Sequence, residues 1–388
     1  MVLKSRASRA GRYILSTTSA GDRYHAFVPN PLPPDPPLHL ASGIYRLMEK
    51  AGWALGRLEG LISLLPDKAP IIYFFSRREA LASSQIEGNR CSLSDLLLFE
   101  NDEPPLVTLC DVQQVFSTVV AMDHGMKTLS AGYPLTLQLI RKIHKVFFSG
   151  KKDKTPGEFR QSQIWVGGTG PDDALFVPPP PEILTECLDA LEEFIQNGTL
   201  PTLIKAALVH VQFDMIRPFL TGNRYIGRMM IPFLLGMERV LSDPVLYYSL
   251  YLKTHRKTYY DLLQKVMVEG DWESWIRFFL TGILEMAEHA AATTQSVVEL
   301  LDTDRRRLKA LGPSAGRVLQ IHRLLTKRPI LSISKAAELT GMKPGDITDS
   351  IQSLQQARMV REFAGNRQSQ LLIYEELLRI LSKGAEYF

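Results

Sequence analysis

The residues whose types and spacing suggest chemistry lie in one stretch, residues 206–233, which reads AALVHVQFDMIRPFLTGNRYIGRMMIPF. Pro218 disfavours the helical conformation at the residue before it, so a helix should end near Arg217. Gly222 and Asn223 allow a tight loop, and Asn223 is a good N-cap for the helix that follows. Backbone N–H groups at the positive end of a helix bind phosphate. The sequence therefore predicts an anion site between two helices.

This stretch resembles the signature of the Fic-domain family, which reads HPF, two residues, GNGR, two residues and R. The matching residues are Pro218, Phe219, Gly222, Asn223 and Arg228. The resemblance implies a mostly helical fold and an activity that transfers AMP from ATP to a hydroxyl group of a target protein. It assigns nucleotide or anion binding to Gly222, Asn223, Arg224, Tyr225 and Arg228.

Other segments resemble the same family in the same order along the chain. Residues 83–88 (SSQIEG) are similar to its inhibitory-helix motif, a Ser or Thr, three residues, Glu, then Gly or Asn. Residues 157–160 (GEFR) and the hairpin of residues 163–177 are similar to its flap, where a target protein would dock. The inhibitory role is assigned to Ser83, Glu87 and Gly88.

Four positions depart from the family pattern at the groups that carry its chemistry. The resemblance assigns proton removal from the target hydroxyl to a histidine, and Arg217 stands at that position. A guanidinium stays protonated at physiological pH and has no lone pair, so we do not expect Arg217 to act as a base. Thr221, which is neutral, replaces the acidic magnesium ligand, so we expect no metal there. Arg224 replaces the second glycine, and Tyr225 replaces the first phosphate-binding arginine.

Because the scaffold residues remain while the base and the metal ligand are lost together, we interpret the site as degenerate. Loss of a general base lowers a rate by roughly 10²- to 10⁴-fold, and loss of metal positioning adds to that. The predicted function is that of a Fic-family regulator without ordinary AMP transfer, which binds ATP, another nucleotide or another anion, or acts through DNA. Two alternatives stay open: a working transferase whose base lies outside the motif, and a DNA-binding regulator that uses the Fic domain as a scaffold.

Several residues near the motif allow both a functional and a structural interpretation. Arg217 and Arg224 either form a positive phosphate pocket at a helix N-terminus, or have drifted without a role, or pair with Glu87 and point outward. The resemblance implies a salt bridge between Glu87 and Arg228, which is inhibitory in active members and equally well structural here. His210 lies two helical turns, about 10 Å at roughly 1.5 Å per residue, from the loop. We therefore interpret it as a structural histidine and not as a substitute base.

The whole-chain composition excludes several classes of protein. Of 388 residues, 45% are hydrophobic and 22% are charged, which is ordinary for a globular protein and excludes wholesale disorder. No apolar run approaches the roughly 20 residues of a membrane helix, so we expect no membrane association. The basic N-terminus lacks the apolar stretch of a secretory signal. Three cysteines, odd in number and far apart, suit a reducing cytosol, so we expect a cytoplasmic protein.

The predicted fold class is all-α: a Fic-like helical domain with a small β-hairpin flap, followed by a winged helix-turn-helix domain. The prolines of residues 29–37 predict an extended strap after an irregular chain start, and the strap is similar to the N-terminal segment of multidomain Fic proteins. Helical spacing begins near Leu38. Within residues 163–177, GGTGP predicts a turn between two short strands. The predicted domains are residues 1–105 (strap and helices with the inhibitory motif), 106–300 (Fic core) and 313–388 (winged helix).

The C-terminal domain is predicted from its order of elements: helix, short helix, turn, helix, hairpin. Residues 301–388 hold 15 Lys and Arg against 9 Asp and Glu, a net charge of +6, whereas the rest of the chain has a net charge of −2. This asymmetry predicts DNA as a partner, with a protein-docking or dimerisation module as the alternative. The predicted phosphate contacts are Lys335, Arg358, Arg361 and Arg367. We also expect the protein to be a homodimer.

Overall fold

A computed structural model describes residues 8–17, 21, 23–105, 107–150, 155–312, 315–364 and 370–383. The described helices are α1 Ser42–Ser63, α2 Ala69–Ile86, α3 Leu93–Phe99, α4 Leu109–Ser130, α5 Leu137–Phe147, α6 Pro181–Asn197, α7 Thr202–Ile216, α8 Asn223–Met237, α9 Ser249–Thr254, α10 Arg256–Glu269, α11 Trp272–Lys309, α12 Ala315–Lys327, α13 Ile333–Thr340, α14 Pro344–Gln356 and α15 Glu375–Ser382. The described strands are β1 Gly11–Thr17, β2 Arg23–Pro29, β3 Ile330–Ser332, β4 Arg361–Ala364 and β5 Gln370–Ile373.

The predicted mostly helical fold is confirmed, with two small antiparallel sheets beside the helices. Helix α11 continues to Lys309, past the predicted end of the helical region near Leu301, because its apolar spacing is maintained beyond that point and Leu308 is fully buried. Across the described ranges, no helix is both long and apolar enough to cross a membrane.

The prediction of an irregular chain start is wrong, because β1 and β2 form an antiparallel hairpin with Gly11 opposite Pro29. Tyr24 and Ala26 are buried while the intervening His25 is exposed, which is the alternation of a strand with one covered face. That period of two was readable in the sequence.

The flap predicted as two strands contains a single bridge, between Val166 and Phe176. The residues between them form a turn and do not extend the strand pairing. In this turn the carboxylate of Asp173 accepts hydrogen bonds from the backbone N–H groups of Thr169 and Gly170, both at 2.8 Å. Beyond the bridge, the chain is held by β2, whose Phe27 N–H donates to the carbonyl of Val177 at 2.8 Å. The flap is thus mostly turn and loop.

The chain divides into two compact units, each assembled from separate segments. The first comprises Met1–Glu59, Ser117–Pro244 and Tyr251–Ala287, and the second comprises Gly60–Phe116, Val245–Leu250 and Glu288–Phe388. The domain boundaries predicted from the sequence, after residues 105, 300 and 312, stay predictions.

The C-terminal elements follow the predicted order with two additions, the short strand β3 and the closing helix α15. The three strands pair in the order β3-β5-β4, with Ile330 opposite Ile373. The Ser332 hydroxyl caps α13 by accepting from the N–H of Lys335, and Gly341 ends that helix in the left-handed conformation. The predicted turn at Gly365 and Asn366 lies outside the described residues, and the winged-helix assignment stays a prediction.

Candidate functional site

The candidate site begins where α7 ends. Pro218 stops this buried helix as predicted, and Arg217 takes a left-handed conformation with φ of 47°, its N–H donating to the carbonyl of Phe213 at 3.0 Å. A left-handed residue other than glycine is uncommon and costs free energy unless its surroundings hold it. The neighbouring contacts therefore have to account for the shape of this loop.

Arg160 supplies the strongest of these contacts. Its side chain is buried, and its guanidinium donates to the carbonyl oxygens of Arg217 at 2.8 Å and Pro179 at 2.5 Å. Its backbone N–H donates to the carbonyl of Pro218 at 2.9 Å. Burial lowers the pKa of Arg160 to about 10, which leaves it charged at neutral pH. One residue thus ties the start of the loop to the chain around Pro179, a role that the GEFR motif alone did not reveal.

Asn223 and Gly222 close the other half of the loop. The Asn223 side chain accepts from the N–H of Phe219 at 2.9 Å and donates to the carbonyl of the same residue at 2.7 Å. Asn223 was predicted as the N-cap of α8, but Gly222 occupies that position and Asn223 is the first helical residue. Gly222 has φ of 79°, and a Cβ atom there would lie 2.7 Å from the Phe148 ring, so this position requires glycine.

His144 lies beneath the loop as a fully buried spacer. Its ring is stacked 3.8 Å from the ring of Phe219. The Gly157 N–H donates to Nδ1 at 2.9 Å, so Nε2 carries the proton and donates to the carbonyl of Thr221 at 3.1 Å. Burial lowers the pKa of His144 to about 4, which keeps it neutral. Both ring nitrogens are engaged with backbone, so His144 positions the loop.

Arg217, at the first position of the motif, is paired with Asp214. Its Nη2 atom lies 2.7 Å from Asp214 Oδ1, and the two side chains are only 11% and 14% exposed. The pairing places a negative charge beside the Arg217 guanidinium and neutralises it locally. Sequence reasoning missed Asp214, although an acid three residues before an arginine on one helix was the available signal.

The residues at the position of the family's metal ligand do not fit Mg²⁺. Thr221 offers a hydroxyl, and that oxygen is buried with no hydrogen-bond partner among the described residues. The carboxylate of Asp214 is already engaged by Arg217. Elsewhere in the described ranges, no group of three or more His, Cys, Asp or Glu residues is arranged to hold a metal ion. Hard divalent cations need charged oxygen ligands, and these residues do not supply a free one.

The remaining predicted binding residues lie on the first turns of α8 among aromatic rings. The Arg228 guanidinium is buried, with Cζ 5.4 Å from the centre of the Tyr225 ring. The Arg224 Cζ atom lies 4.8 Å from the ring centre of Tyr260, a residue the sequence gave no reason to include. Cations over aromatic faces are held electrostatically. The structure therefore brings two arginines to one helix end, each against a tyrosine.

His210 is structural, as interpreted from the sequence. Its ring is fully buried, with Nδ1 2.8 Å from the carbonyl of Gly227 and Nε2 3.0 Å from the hydroxyl of Tyr259. Since a carbonyl only accepts, Nδ1 is the protonated nitrogen and Nε2 accepts from Tyr259. Burial lowers the pKa of His210 to about 4. This histidine joins α7, α8 and α10, and both its nitrogens are occupied.

The comparison with known families matches two adjacent segments of this chain. Residues 45–127 match the description "Fic/DOC family N-terminal", and residues 134–235, which include the loop just described, match "Fic/DOC family". The chain is a Fic/DOC family protein. It has an N-terminal Fic segment followed by a Fic domain that ends within α8.

Curated relatives of this Fic protein are distant and longer than the matched region. Protein adenylyltransferase Fic of Drosophila grimshawi is 30% identical over 167 residues, 41% of this chain and 32% of the relative. The Aedes aegypti protein of the same name is 32% identical over 168 residues, 41% of this chain and 31% of the relative. The match thus spans about a third of each relative.

Among solved structures, a Fic family protein from Desulfovibrio desulfuricans G20 is similar with a TM-score of 0.57 and 17% identity. The likeness covers 87% of this chain and 97% of that one. At this identity it shows the fold alone, and it supports the Fic-like helical fold predicted from the sequence.

The segment predicted as an inhibitory motif, residues 83–88, lies at the C-terminal end of α2. Ser83 is buried within the helix, Glu87 is its C-cap, and Gly88 follows with φ of 91°. The N–H of Glu87 donates to the carbonyl of Ser84 at 3.0 Å, which ends the helix there. Because Glu87 and Arg228 belong to different compact units, their salt bridge stays a prediction.

Proposed function

We propose that this Fic protein is a regulator whose AMP-transfer site lacks a catalytic base and that its loop binds a nucleotide or another anion. The observation that carries the proposal is the pairing of Arg217 with Asp214 at 2.7 Å. AMP transfer to a hydroxyl requires a group that accepts the hydroxyl proton. A buried, paired guanidinium has no lone pair for that step.

The loop residues that match the family motif support anion binding rather than AMP transfer. Gly222, Asn223 and the N-terminal turn of α8 keep the backbone arrangement that favours an anion, because the first N–H groups of a helix have no partner within it. Arg224 and Arg228 add positive charge on the same helix. Arg217 contributes less to this field, since Asp214 neutralises it. ATP is the natural first ligand to test, without a requirement for magnesium.

The test of this proposal is an AMP-transfer assay. Purified protein with labelled ATP and magnesium should label neither itself nor a lysate, and Glu87→Gly should not change that. Arg217→His, which restores an imidazole, should raise any labelling by at least a hundredfold, since a general base contributes about 10²- to 10⁴-fold.

Robust labelling by the unaltered protein or by Glu87→Gly would overturn the proposal and favour a transferase with its base outside the motif. The same samples report ligand binding through the melting temperature. A ligand at a hundredfold excess over its dissociation constant stabilises by about 2.7 kcal/mol. A melting temperature that does not move with ATP, ADP, AMP or pyrophosphate would remove the binding half of the proposal.

A second candidate function is DNA binding through the C-terminal elements, which the +6 net charge of residues 301–388 favours. Two of the predicted phosphate contacts are already paired, Lys335 with Glu338 at 2.8 Å and Arg361 with Glu375 at 2.7 Å. Such exposed pairs are weak, so DNA phosphates can displace them. Arg358 has a positive φ of 57° at the end of α14, and Arg367 lies outside the described residues.

A gel-shift series at several salt concentrations tests this candidate. Affinity should fall with salt with a log–log slope of about −0.9 per phosphate contact, and Lys335→Ala should reduce the slope by about one unit. Arg239→Ala in the first unit is the matched control and should leave the slope unchanged. Absence of binding at low salt would leave the C-terminal elements as a docking or dimerisation module.

The flap of residues 163–177 is the surface we propose for a protein target. Trp165 is 42% exposed and Leu175 is 85% exposed, so two large apolar side chains face solvent there. Exposed apolar groups of this size favour a protein partner. Homodimerisation is a further proposal, and sedimentation of the purified protein tests it.

A further inference from the structure

The second compact unit contains a partly open cavity of about 270 Å³, here called the α11–α12 pocket. It lies between the loop after α1, the start of α2, the later part of α11, and α12. Its lining residues are Leu65, Pro66, Asp67, Pro70, Ile71, Val297, Val298, Leu301, Asp302, Arg305, Leu319, His322, Arg323, Thr326 and Lys327. Neither the Fic motif nor the flap contributes to it.

The interior of the α11–α12 pocket is apolar. Ile71 and Val297 are buried at 3% and 2% exposure, and Val298 and Leu319 are half-buried with free space beside them. An apolar cavity of about 150 Å³ is large enough to hold benzene. The pocket therefore has room for an aromatic ring or a short branched chain together with a linker of a few atoms.

The rim of the pocket carries three cations and two carboxylates. Lys327 Nζ lies 3.5 Å from Asp67 Oδ2, and Arg305 Nη1 lies 3.5 Å from Asp302 Oδ1. Each carboxylate is thus matched by one cation. Arg323 remains, and its guanidinium makes neither an ion pair nor a hydrogen bond to any residue in the described ranges. The rim has a net charge of +1, and Arg323 is the group that carries it.

The back wall of the pocket includes a buried histidine. His322 is buried on α12, with Nε2 3.3 Å from the Tyr374 hydroxyl, which in turn donates to Asp304 at 2.5 Å. Burial lowers the pKa of His322, so the imidazole is uncharged at neutral pH. The wall therefore adds no second cation, and a ligand meets one positive charge above an apolar interior.

We propose that the α11–α12 pocket binds a small apolar monocarboxylate, its hydrocarbon part packed against Val297, Val298 and Leu319 and its carboxylate paired with Arg323. One ligand charge matches one unpaired rim charge, and the cavity volume limits the apolar part to about a ring and a short chain. A dicarboxylate or a phosphate would place a second charge beside Asp67 and Asp302. This site goes beyond the proposed function, which concerns the loop between α7 and α8.

The experiment titrates the full chain with hexanoate and 3-phenylpropionate and measures binding by calorimetry and by NMR shift of the ligand. The matched alcohols, 1-hexanol and 3-phenylpropanol, and acetate serve as ligand controls. We expect saturable one-to-one binding of the two carboxylates at millimolar or lower concentration. The alcohols should bind about three- to fivefold more weakly, because a partly exposed ion pair contributes about that factor. Acetate should not bind measurably, because it lacks the apolar part.

Two variants locate the site. Val298→Phe fills the half-buried space and should abolish binding, whereas Val120→Phe, at an exposed valine of the first unit, should not. Arg323→Gln should weaken the carboxylates about three- to fivefold and leave the alcohols unchanged, with Arg306→Gln as the matched control. Equal affinity for alcohols and carboxylates, undiminished binding by Val298→Phe, or no saturable binding would each overturn the proposal. None of these outcomes depends on AMP transfer.

Discussion

The loop between α7 and α8 and the surface of the C-terminal elements use charged side chains in opposite ways. At the loop, Arg160 is buried and donates only to backbone carbonyl oxygens. On the C-terminal surface, Arg361 pairs with Glu375 at 2.7 Å while both side chains remain more than half exposed. A buried donor cannot be replaced by water, whereas an exposed pair can exchange for water at little cost.

This difference shows which groups maintain the shape of the loop. The groups that hold the loop are Arg160, His144 and Asn223, and each is directed at backbone atoms. The positions that differ from the family pattern, Arg217 and Thr221 among them, are not the ones that provide this support. A substitution at a chemical position therefore leaves the support intact.

The largest expected effect comes from removing Arg160. Arg160→Met keeps most of the apolar volume but leaves buried carbonyls of Arg217 and Pro179 without a donor. Each unsatisfied buried group costs about 1–3 kcal/mol, so the free energy of unfolding should fall by roughly 3–5 kcal/mol. Urea unfolding measures this free energy. The control is Arg379→Met, which replaces an exposed arginine of α15. If the free energy of unfolding fell by less than about 1 kcal/mol, the buried contacts of the loop would stabilise the protein no more than an exposed pair of the C-terminal surface does.

The next effect is a pH dependence to which two buried histidines of the first unit contribute. The folded pKa values of His144 and His210 are about 4, below the ordinary value of 6.5, because burial disfavours the charged form. The unfolded chain takes up protons first as the pH falls, so stability is full above about pH 6.5 and is lost progressively toward pH 4. Each histidine should contribute a loss of about 2 kcal/mol between pH 7 and pH 5.

Urea unfolding at pH 7, 6 and 5 measures this slope in the unaltered protein and in His210→Gln. The variant should be less stable at pH 7 but should show a shallower decline toward pH 5. His124→Gln, at an exposed position, should reproduce the slope of the unaltered protein. An unchanged slope in His210→Gln would mean that this buried imidazole accepts a proton as readily as a free one.

The smallest effect is expected on the C-terminal surface. Arg361→Ala removes a pair whose side chains are 59% and 57% exposed, and it should change the free energy of unfolding by less than about 1 kcal/mol. The change should shrink further in 1 M salt, where the screening length is about 3 Å. A salt-insensitive loss above about 2 kcal/mol would show that this surface is held as tightly as the loop.

Local sequence signals determined much of the Fic domain. Pro218 predicted the end of α7, and the Gly222-Asn223 pair predicted the loop before α8, because proline and glycine restrict or free the backbone at their own positions. The prediction that Arg217 does not act as a base also comes from the sequence, since a guanidinium has no lone pair wherever it lies. The β1–β2 hairpin was readable too, through the alternation around Tyr24, but the prolines after it obscured the signal.

Tertiary structure alone decided what holds and neutralises the motif. Arg160 lies 57 residues from Arg217 in sequence, and His144 lies 77 residues from Thr221, so no local pattern could join them. The same holds for the cavity that Leu65 and Leu319 line together. Hydrogen bonds and cavities form between whichever atoms the packed helices bring within a few ångströms. Sequence fixes the chemical identity of those atoms, and the packing of distant elements fixes which of them meet.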